Sequence, residues 1–386
     1  MREITPRERF KAVMNFEKTD RLPWFEWPYT EVIIRWIEEG LPIREILKQE
    51  EVLEGDGSCP YSTARLVFDV STYFGFENFY QEEYNVIIDQ GPLPRFPCKT
   101  LKDTEEHKII RSVDGTTKEV LKENSFYMPM WLDWPVKNED DWEKFKVRFD
   151  PNDPRRYPKD WGDELIDHFK NAQFPVVMWL NGFFMKGREC MGTIPFVTSF
   201  YKNPKIVKDI MDFHRWFTVE CIKEAVEILK SNIDIIIIGE DIAYKHGPHI
   251  SPNLFREFIL PNYKELIDFL RRNGIKNIFV DSDGNIIPLI PLFIEAGVNG
   301  FLPLEVASGV DAVALRKEYG KSILLIGNID KRAIIRGEDA IEREVSSKLP
   351  YLKKEGGYIP MIDHVLSPDI PLKNFKDYTN CMLNFL

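Results

Sequence analysis

The chain has 386 residues, with 62 acidic against 51 basic side chains and a net charge of −11. At 44% hydrophobic and 13% aromatic it carries enough apolar material for a large core, which excludes wholesale disorder. The acidic balance argues against nucleic-acid binding, whose affinity rests on neutralising phosphates with Lys and Arg. It argues equally against a polyanionic substrate, unless a site gathers arginines locally. The five cysteines are scattered and form no CxxC pair, which suits a reducing cytosol. The start, Met1 to Phe10, is charged where a signal peptide needs an apolar stretch. The longest apolar runs fall far short of the ~20 residues of a membrane span. The expectation is a cytoplasmic protein that binds neither nucleic acid nor membrane.

Thr5-Pro6-Arg7-Glu8 combines a capping hydroxyl, a first-turn proline and an early acid, and predicts a helix to about Phe16. Leu22–Trp27 reads as a first strand, Tyr29–Gly40 as a helix and Leu66–Val70 as a second strand. Asn85–Asp89, His107–Ser112, the Asp114-Gly115 turn and Thr117–Val120 read as antiparallel strands of an insertion over 84–136. The span 138–172 is charged, contains Pro151, Pro154 and Pro158, and reads as a surface connection. Beyond it, six apolar runs recur: Phe174–Leu180, Ile235–Gly239, Asn277–Val280, Val298–Pro303, Ile323–Ile326 and Gly357–Ile362. Helical patterns such as Pro204–Lys230 and Ser251–Asn273 separate them, the mark of parallel βαβ units. Six strands here and two earlier make eight. The expected fold is α/β, a (β/α)8 TIM barrel with an antiparallel insertion, spanning 1–386 as one domain. A doubly wound sheet would ordinarily show a glycine-rich turn after its first strand, and none is present.

In such a barrel the active site lies at the C-terminal ends of the strands. The residues just after the apolar runs are Asn181, Glu240 with Asp241, Asp281 with Asp283, Glu305, Asn328 with Asp330, and Asp363 with His364. Carboxylates facing one small volume cannot all stay ionised unless a cation joins them or some take up protons. Asp281 and Asp283 stand two apart, a spacing that points both the same way from a strand end. With His364 they suit Zn²⁺ or another divalent metal. Each acid could instead cap a following helix, and His364 could be a hydrogen-bonded loop residue. His246 and His249, separated by Gly-Pro, read as a turn. Gly320-Lys321-Ser322 precedes a strand and lacks the earlier glycine of a phosphate loop, and no HExxH, GxSxG or GxGxxG is present. Trp24, Trp27, Tyr29, Phe183 and Phe184 follow early strands and could line an apolar cleft.

The opening Thr5-Pro-Arg-Glu-Arg-Phe-x-Ala-Val and Asp20-Arg-Leu-Pro resemble the start of the uroporphyrinogen decarboxylase superfamily. So do Asp241-Ile-Ala-Tyr244-Lys, Ile250-Ser-Pro, Phe301-Leu-Pro-Leu-Glu305, and Gly357-Tyr-Ile with His364 and Ser367-Pro-Asp-Ile-Pro. The resemblance spans nearly the whole chain and implies a (β/α)8 barrel. It also implies one of two activities, tetrapyrrole decarboxylation or methyl transfer through a separate cobalt-corrinoid protein. The decarboxylases carry an Arg-rich segment after the first strand, where this chain has Trp24-Phe-Glu-Trp-Pro-Tyr-Thr30. The methyltransferases hold zinc with a His-x-Cys pair and a later Cys, where this chain has Asp281, Asp283 and His364.

Oxygen ligands donate less charge than thiolates and leave zinc the stronger Lewis acid, suited to an ether oxygen. The expectation is therefore a zinc-dependent methyltransferase of the O-demethylase type. It would demethylate a methoxylated aromatic and pass the methyl to the cobalamin of a partner corrinoid protein. Asp281, Asp283, His364 and Glu240 would hold the metal, Asp241 would serve as acid and Glu305 would orient ligands. Trp24, Trp27, Tyr29, Phe183 and Tyr244 would contact substrate. A decarboxylase, a methyltransferase from methyl-corrinoid to a thiol, a metal-free hydrolase using Glu240 and Glu305, and a non-catalytic accessory subunit stand as alternatives.

Overall fold

The computed structural model describes residues 4–42, 47–48, 66–67, 70–77, 84–122 and 128–386. Its centre is a parallel sheet of six strands. In chain order these are β7 (Val177–Asn181), β8 (Ile235–Gly239), β11 (Ile278–Asp281), β12 (Gly300–Leu302), β13 (Leu324–Ile329) and β14 (Tyr358–Ile362). Each pairs with the next in parallel. Ile235 to Ile238 are fully buried, as expected of a strand packed on both faces.

Short extended segments continue the sheet at both of its edges. Phe25 donates its N–H to Pro360 O at 3.1 Å and Pro28 bridges Leu366 in parallel, so segment 24–28 lies beside β14. Phe25 bridges Glu77 in parallel, and on the far side Asn85 bridges Val177. The expected (β/α)8 barrel is thus the fold.

Two sequence expectations change. Leu66–Val67 (β2) pairs antiparallel with Leu47–Lys48 (β1), outside the ring; residues 68–69 lie outside the described residues, and Val70 opens a helix to Phe74. The second barrel position falls instead to segments 76–77 and 85–86. Asn85–Asp89 was expected in the antiparallel sheet, yet Val86 N–H reaches Val177 O at 2.8 Å. Buried Val86 and Ile88 alternating with exposed Ile87 give a half-buried extended pattern, which does not encode the direction of pairing. The antiparallel sheet itself is a meander of β3 (Lys99–Asp103), β4 (His107–Arg111), β5 (Thr117–Leu121) and β6 (Met130–Asp133). The Asp114-Gly115 turn joins β4 to β5, with Gly115 at φ +88°.

The helix Pro6–Met14 closes the N-terminal end of the barrel. Thr5 and Glu8 form a reciprocal capping box. Arg7, buried, donates to Asp234 at 2.7 Å just before β8 and to the carbonyls of Ala172 and Asn232. Arg9 pairs with Asp20 and Glu77, and Glu77 also accepts from Arg21 and from Trp24 N–H. The helix Pro204–Leu229 buries Ile206, Val207, Ile210, Phe217, Cys221 and Ile222 at helical spacing against the core. Among the described residues no helix is long and apolar enough to cross a membrane.

Candidate functional site

Strand register levels the acids into one rim. Asn181 lies opposite Gly239, Gly239 opposite Asp281, and Asp281 opposite Leu302. Ile329 lies opposite Ile362, so Asp330 and Asp363 leave the sheet at the same height. Asp241 at φ +43° and Leu304 at φ +63° follow β8 and β12 in the left-handed region, and Asn328 at φ +70° lies near the end of β13. Strain of this kind gathers at functional sites.

On the rim, His364 Nε2 lies 3.2 Å from Asp283 Oδ2. Its Nδ1 is buried with no hydrogen-bond partner among the described residues. Asp281 stands at the end of β11, and burial, reinforced by the charges of Asp283 and Asp241, pushes its carboxyl well above the usual range. Asp241 meets Arg188 at 2.8 Å. Glu305 accepts from Gly284 N–H at 2.9 Å and Ser308 hydroxyl at 2.7 Å, which fixes the loop that carries Asp283. A Cβ on Gly284 would stand 2.7 Å from the backbone of Ala243 and Tyr244, so only glycine lets that loop approach.

Glu240 lies beneath the rim, fully buried. Phe184 N–H donates to its Oε1 at 2.8 Å and the Tyr263 hydroxyl to its Oε2 at 2.9 Å. Burial outweighs these donors and pushes the carboxyl up to about 8. Tyr263 follows a π-helical turn at Phe255–Ile259, a local irregularity often found at functional positions. Among the described residues, no three His, Cys, Asp or Glu side chains converge as they stand into a metal cluster.

Of the aromatic candidates, Trp24 and Phe183 lie in the core. Trp24 donates its indole N–H to Glu26 at 2.7 Å, and Phe183 packs edge-on against Tyr263. Trp27 and Tyr29 are more than a third exposed. Trp27 faces Trp179 with ring centroids 6.3 Å apart. Part-burial and the charge of Asp283 push the Tyr29 hydroxyl upward. Tyr244 is half exposed on β9 (Ala243–Tyr244), which pairs with β10 (Gly247–Pro248), and it stacks on His249 at 5.3 Å. His246 and His249 thus belong to a hairpin, as their Gly-Pro spacing suggested.

Sequence reasoning missed Glu26, Trp179 and Arg188 as parts of the site, and placed Asp363 at a strand end without giving it a role. Glu26 is fully buried and accepts from Trp24 Nε1, the Tyr378 hydroxyl and Ile362 N–H, yet burial pushes it up to about 8. Asp363 accepts N–H bonds from Val306 at 2.9 Å and Lys331 at 3.0 Å, tying three strand ends together. Trp179 was visible as the bulky residue two before Asn181; Ile362 and Tyr378, which meet Glu26, and Asp241, which meets Arg188, are distant in sequence and left no local signal.

Residues 178–384, more than half of the chain, match the family described as uroporphyrinogen decarboxylase (URO-D). The chain belongs to the URO-D family. Within that family it is 30% identical over 76 residues to a uroporphyrinogen decarboxylase of Vesicomyosocius okutanii subsp. Calyptogena okutanii, covering 20% of this chain and 22% of that one. It is 26% identical over 157 residues to the uroporphyrinogen decarboxylase of Legionella pneumophila strain Paris, covering 38% and 40%. The chain thus spans less than half the length of these curated URO-D relatives. A solved structure described as a methyltransferase from Methanosarcina mazei shares the fold over 99% of both chains, with a TM-score of 0.62 at 16% identity.

Proposed function

We propose that this URO-D family member is a zinc-dependent methyltransferase that removes the methyl group of a methoxylated aromatic. It hands that group to the cobalt of a corrinoid carried by a partner protein. The observation that carries the reading is the His364–Asp283 pair at the barrel rim, with Asp281 two residues before Asp283 at the end of β11. The likeness to the Methanosarcina methyltransferase speaks for the fold; the chemistry rests on the rim.

One pair of donor atoms already stands at the spacing a cation would impose. Two ligand atoms at about 2.0–2.1 Å from one tetrahedral zinc lie roughly 3.3 Å apart, and Nε2 and Oδ2 are separated by 3.2 Å. The orphaned Nδ1 is a second imidazole nitrogen that no described residue serves. Asp281, buried and facing the charges of Asp283 and Asp241, would be eased by a positive neighbour. Asp281, Asp283 and His364 would hold the metal. Glu240, with both oxygens engaged by Phe184 and Tyr263, supports the rim from below. The chemistry that zinc supplies there is Lewis-acid polarisation of the ether oxygen.

The chain's own residues arrange the rest. Trp27 and Tyr29, with Trp179 behind Trp27, give a substrate ring apolar faces to lie against. Arg188 pins Asp241, and Glu305 holds the 283–284 loop at a fixed height. Glu240, protonated at neutral pH, adds no further negative charge below the acids.

A decarboxylase acting on a polycarboxylate would need free cations at this mouth. Arg188 and Arg332 are already paired with Asp241 and Asp330, both at 2.8 Å. The test is to measure zinc in the purified protein and to follow cobalamin methylation with a panel of methoxybenzoates. Stoichiometric zinc and methyl transfer support the reading. A metal-free protein, or one that decarboxylates uroporphyrinogen and leaves cobalamin unmethylated, would overturn it.

A further inference from the structure

A cleft of about 350 Å³ lies away from the rim, between the antiparallel insertion and the helix Glu139–Lys146. Four cations line it, Arg111, Lys137, Lys144 and Arg148, against two acids, Asp133 and Asp141. In a chain of net charge −11 this is a local inversion of sign.

Both acids are already engaged. Asp133 meets the Lys137 ammonium at 3.0 Å, and Asp141 accepts the Lys137 N–H at 3.2 Å. Arg148 donates to Pro94 O and lies 4.0 Å over the Phe96 ring. The side chains of Arg111 and Lys144 have no hydrogen-bond or ion-pair partner among the described residues. Two unpaired cations on one cleft repel each other, and an anion between them would relieve that repulsion. The walls add flat apolar surface. Phe96 packs on Phe145 with ring centroids 6.0 Å apart, and Trp134 is held so close that a Cβ on Gly192 would stand 2.8 Å from its ring.

We propose that this cleft is a second ligand site, for a small organic anion that joins a carboxylate or phosphate group to a flat apolar body. Arg111 and Lys144 would bind the charged end, and Phe96 and Trp134 would flank the body. The site does not depend on the chemistry assigned to the barrel rim.

The test is calorimetric titration of the full-length protein with benzoate and, separately, with phenyl phosphate. The same titrations are run on Arg111→Ala, Lys144→Ala and, as a rim control, Trp27→Ala. Arg111 and Lys144 are exposed, so their variants are expected to melt as the parent does. The expected result is saturable binding of at least one probe. Each cleft substitution should weaken it about tenfold or more, as when one charge-assisted hydrogen bond is lost, and Trp27→Ala should leave it unchanged. Comparison of the probes shows which headgroup the site prefers. Binding of neither probe, or binding that survives both cleft substitutions and falls in Trp27→Ala, would overturn the proposal.

Discussion

His364, two residues beyond the end of β14, sets its Nε2 3.2 Å from Oδ2 of Asp283, two residues beyond the end of β11. The contact spans 81 residues of sequence and crosses the barrel mouth. Both side chains are partly exposed, so their partnership contributes little to folding. If they hold zinc, Asp283→Ala and His364→Ala should each lose bound metal and lower methyl transfer on the order of 100-fold or more. Against parent protein stripped of metal by a chelator, unfolding free energy should move by no more than about 0.5 kcal/mol. Elemental analysis, turnover and urea titration of the same preparations separate these effects. Full zinc occupancy in both variants would remove the pair from the metal site.

What the sequence made legible follows the range of each signal. Apolar runs such as Ile235–Gly239 and the helix at Pro204 are local patterns, and they marked the barrel's parallel half. Reading the residue after each run then located Glu240, Asp241, Asp281, Glu305 and His364 at strand ends, because side-chain position along a strand is set by local geometry. The N-terminal motif was legible as a pattern but not in purpose: Arg7 and Arg9 pin the barrel floor through Asp234, Asp20 and Glu77. The second barrel strand was misplaced because the ring there rests on single bridges at Glu77 and Asn85, with no run of apolar residues to signal them. The depth of a carboxylate was also out of reach. Glu240 and Glu305 look alike in sequence, yet one is sealed under Gly182 and Phe184 while the other fastens a loop.

Trp27 is exposed at the mouth and faces Trp179. Its role in the proposed reaction is to present a ring face to the substrate. Trp27→Ala should raise KM roughly tenfold, as loss of one aromatic contact implies, while kcat changes little. Steady-state kinetics with a methoxybenzoate reads the two separately. A fall in kcat at constant KM would mean that Trp27 acts on the reacting atoms rather than on ring binding.

Gly182 is the close-approach glycine of the site. A Cβ there would stand 1.5 Å from Glu240 Oε2 and 2.7 Å from the Gly239 carbonyl oxygen. The first neighbour is a side chain already fixed by Tyr263 and Phe184; the second is backbone of β8 and cannot swing away. Gly182→Ala should therefore destabilise by roughly 1–3 kcal/mol or more. Part of that loss should disappear in a Glu240→Ala background, since the two changes meet at one contact. A double-mutant cycle by urea unfolding measures the coupling. Strict additivity would mean that the carboxylate moves aside at no cost.

Glu26 links pH to stability. Burial pushes its folded carboxyl up to about 8 even with three donors aimed at it, whereas an unfolded glutamate titrates near 4.5. Between those values the folded chain holds a proton that the unfolded chain has released. Stability associated with this group is therefore complete below about pH 4.5 and declines as pH rises toward 8. The steepest slope is about 1.4 kcal/mol per pH unit. Glu240, pushed up to about 8 by its own burial, adds a second contribution of the same sign. Glu26→Gln cannot titrate, so its unfolding free energy should fall less steeply between pH 5 and 8 than that of the parent, by up to that one-group slope. The amide also places an N–H where Ile362 N–H donates, which shifts the whole curve without changing its slope. Urea unfolding at half-unit pH intervals isolates the slope. Equal slopes in the two proteins would show that the Glu26 carboxyl is ionised in the folded barrel and that its three donors, not its burial, set its state.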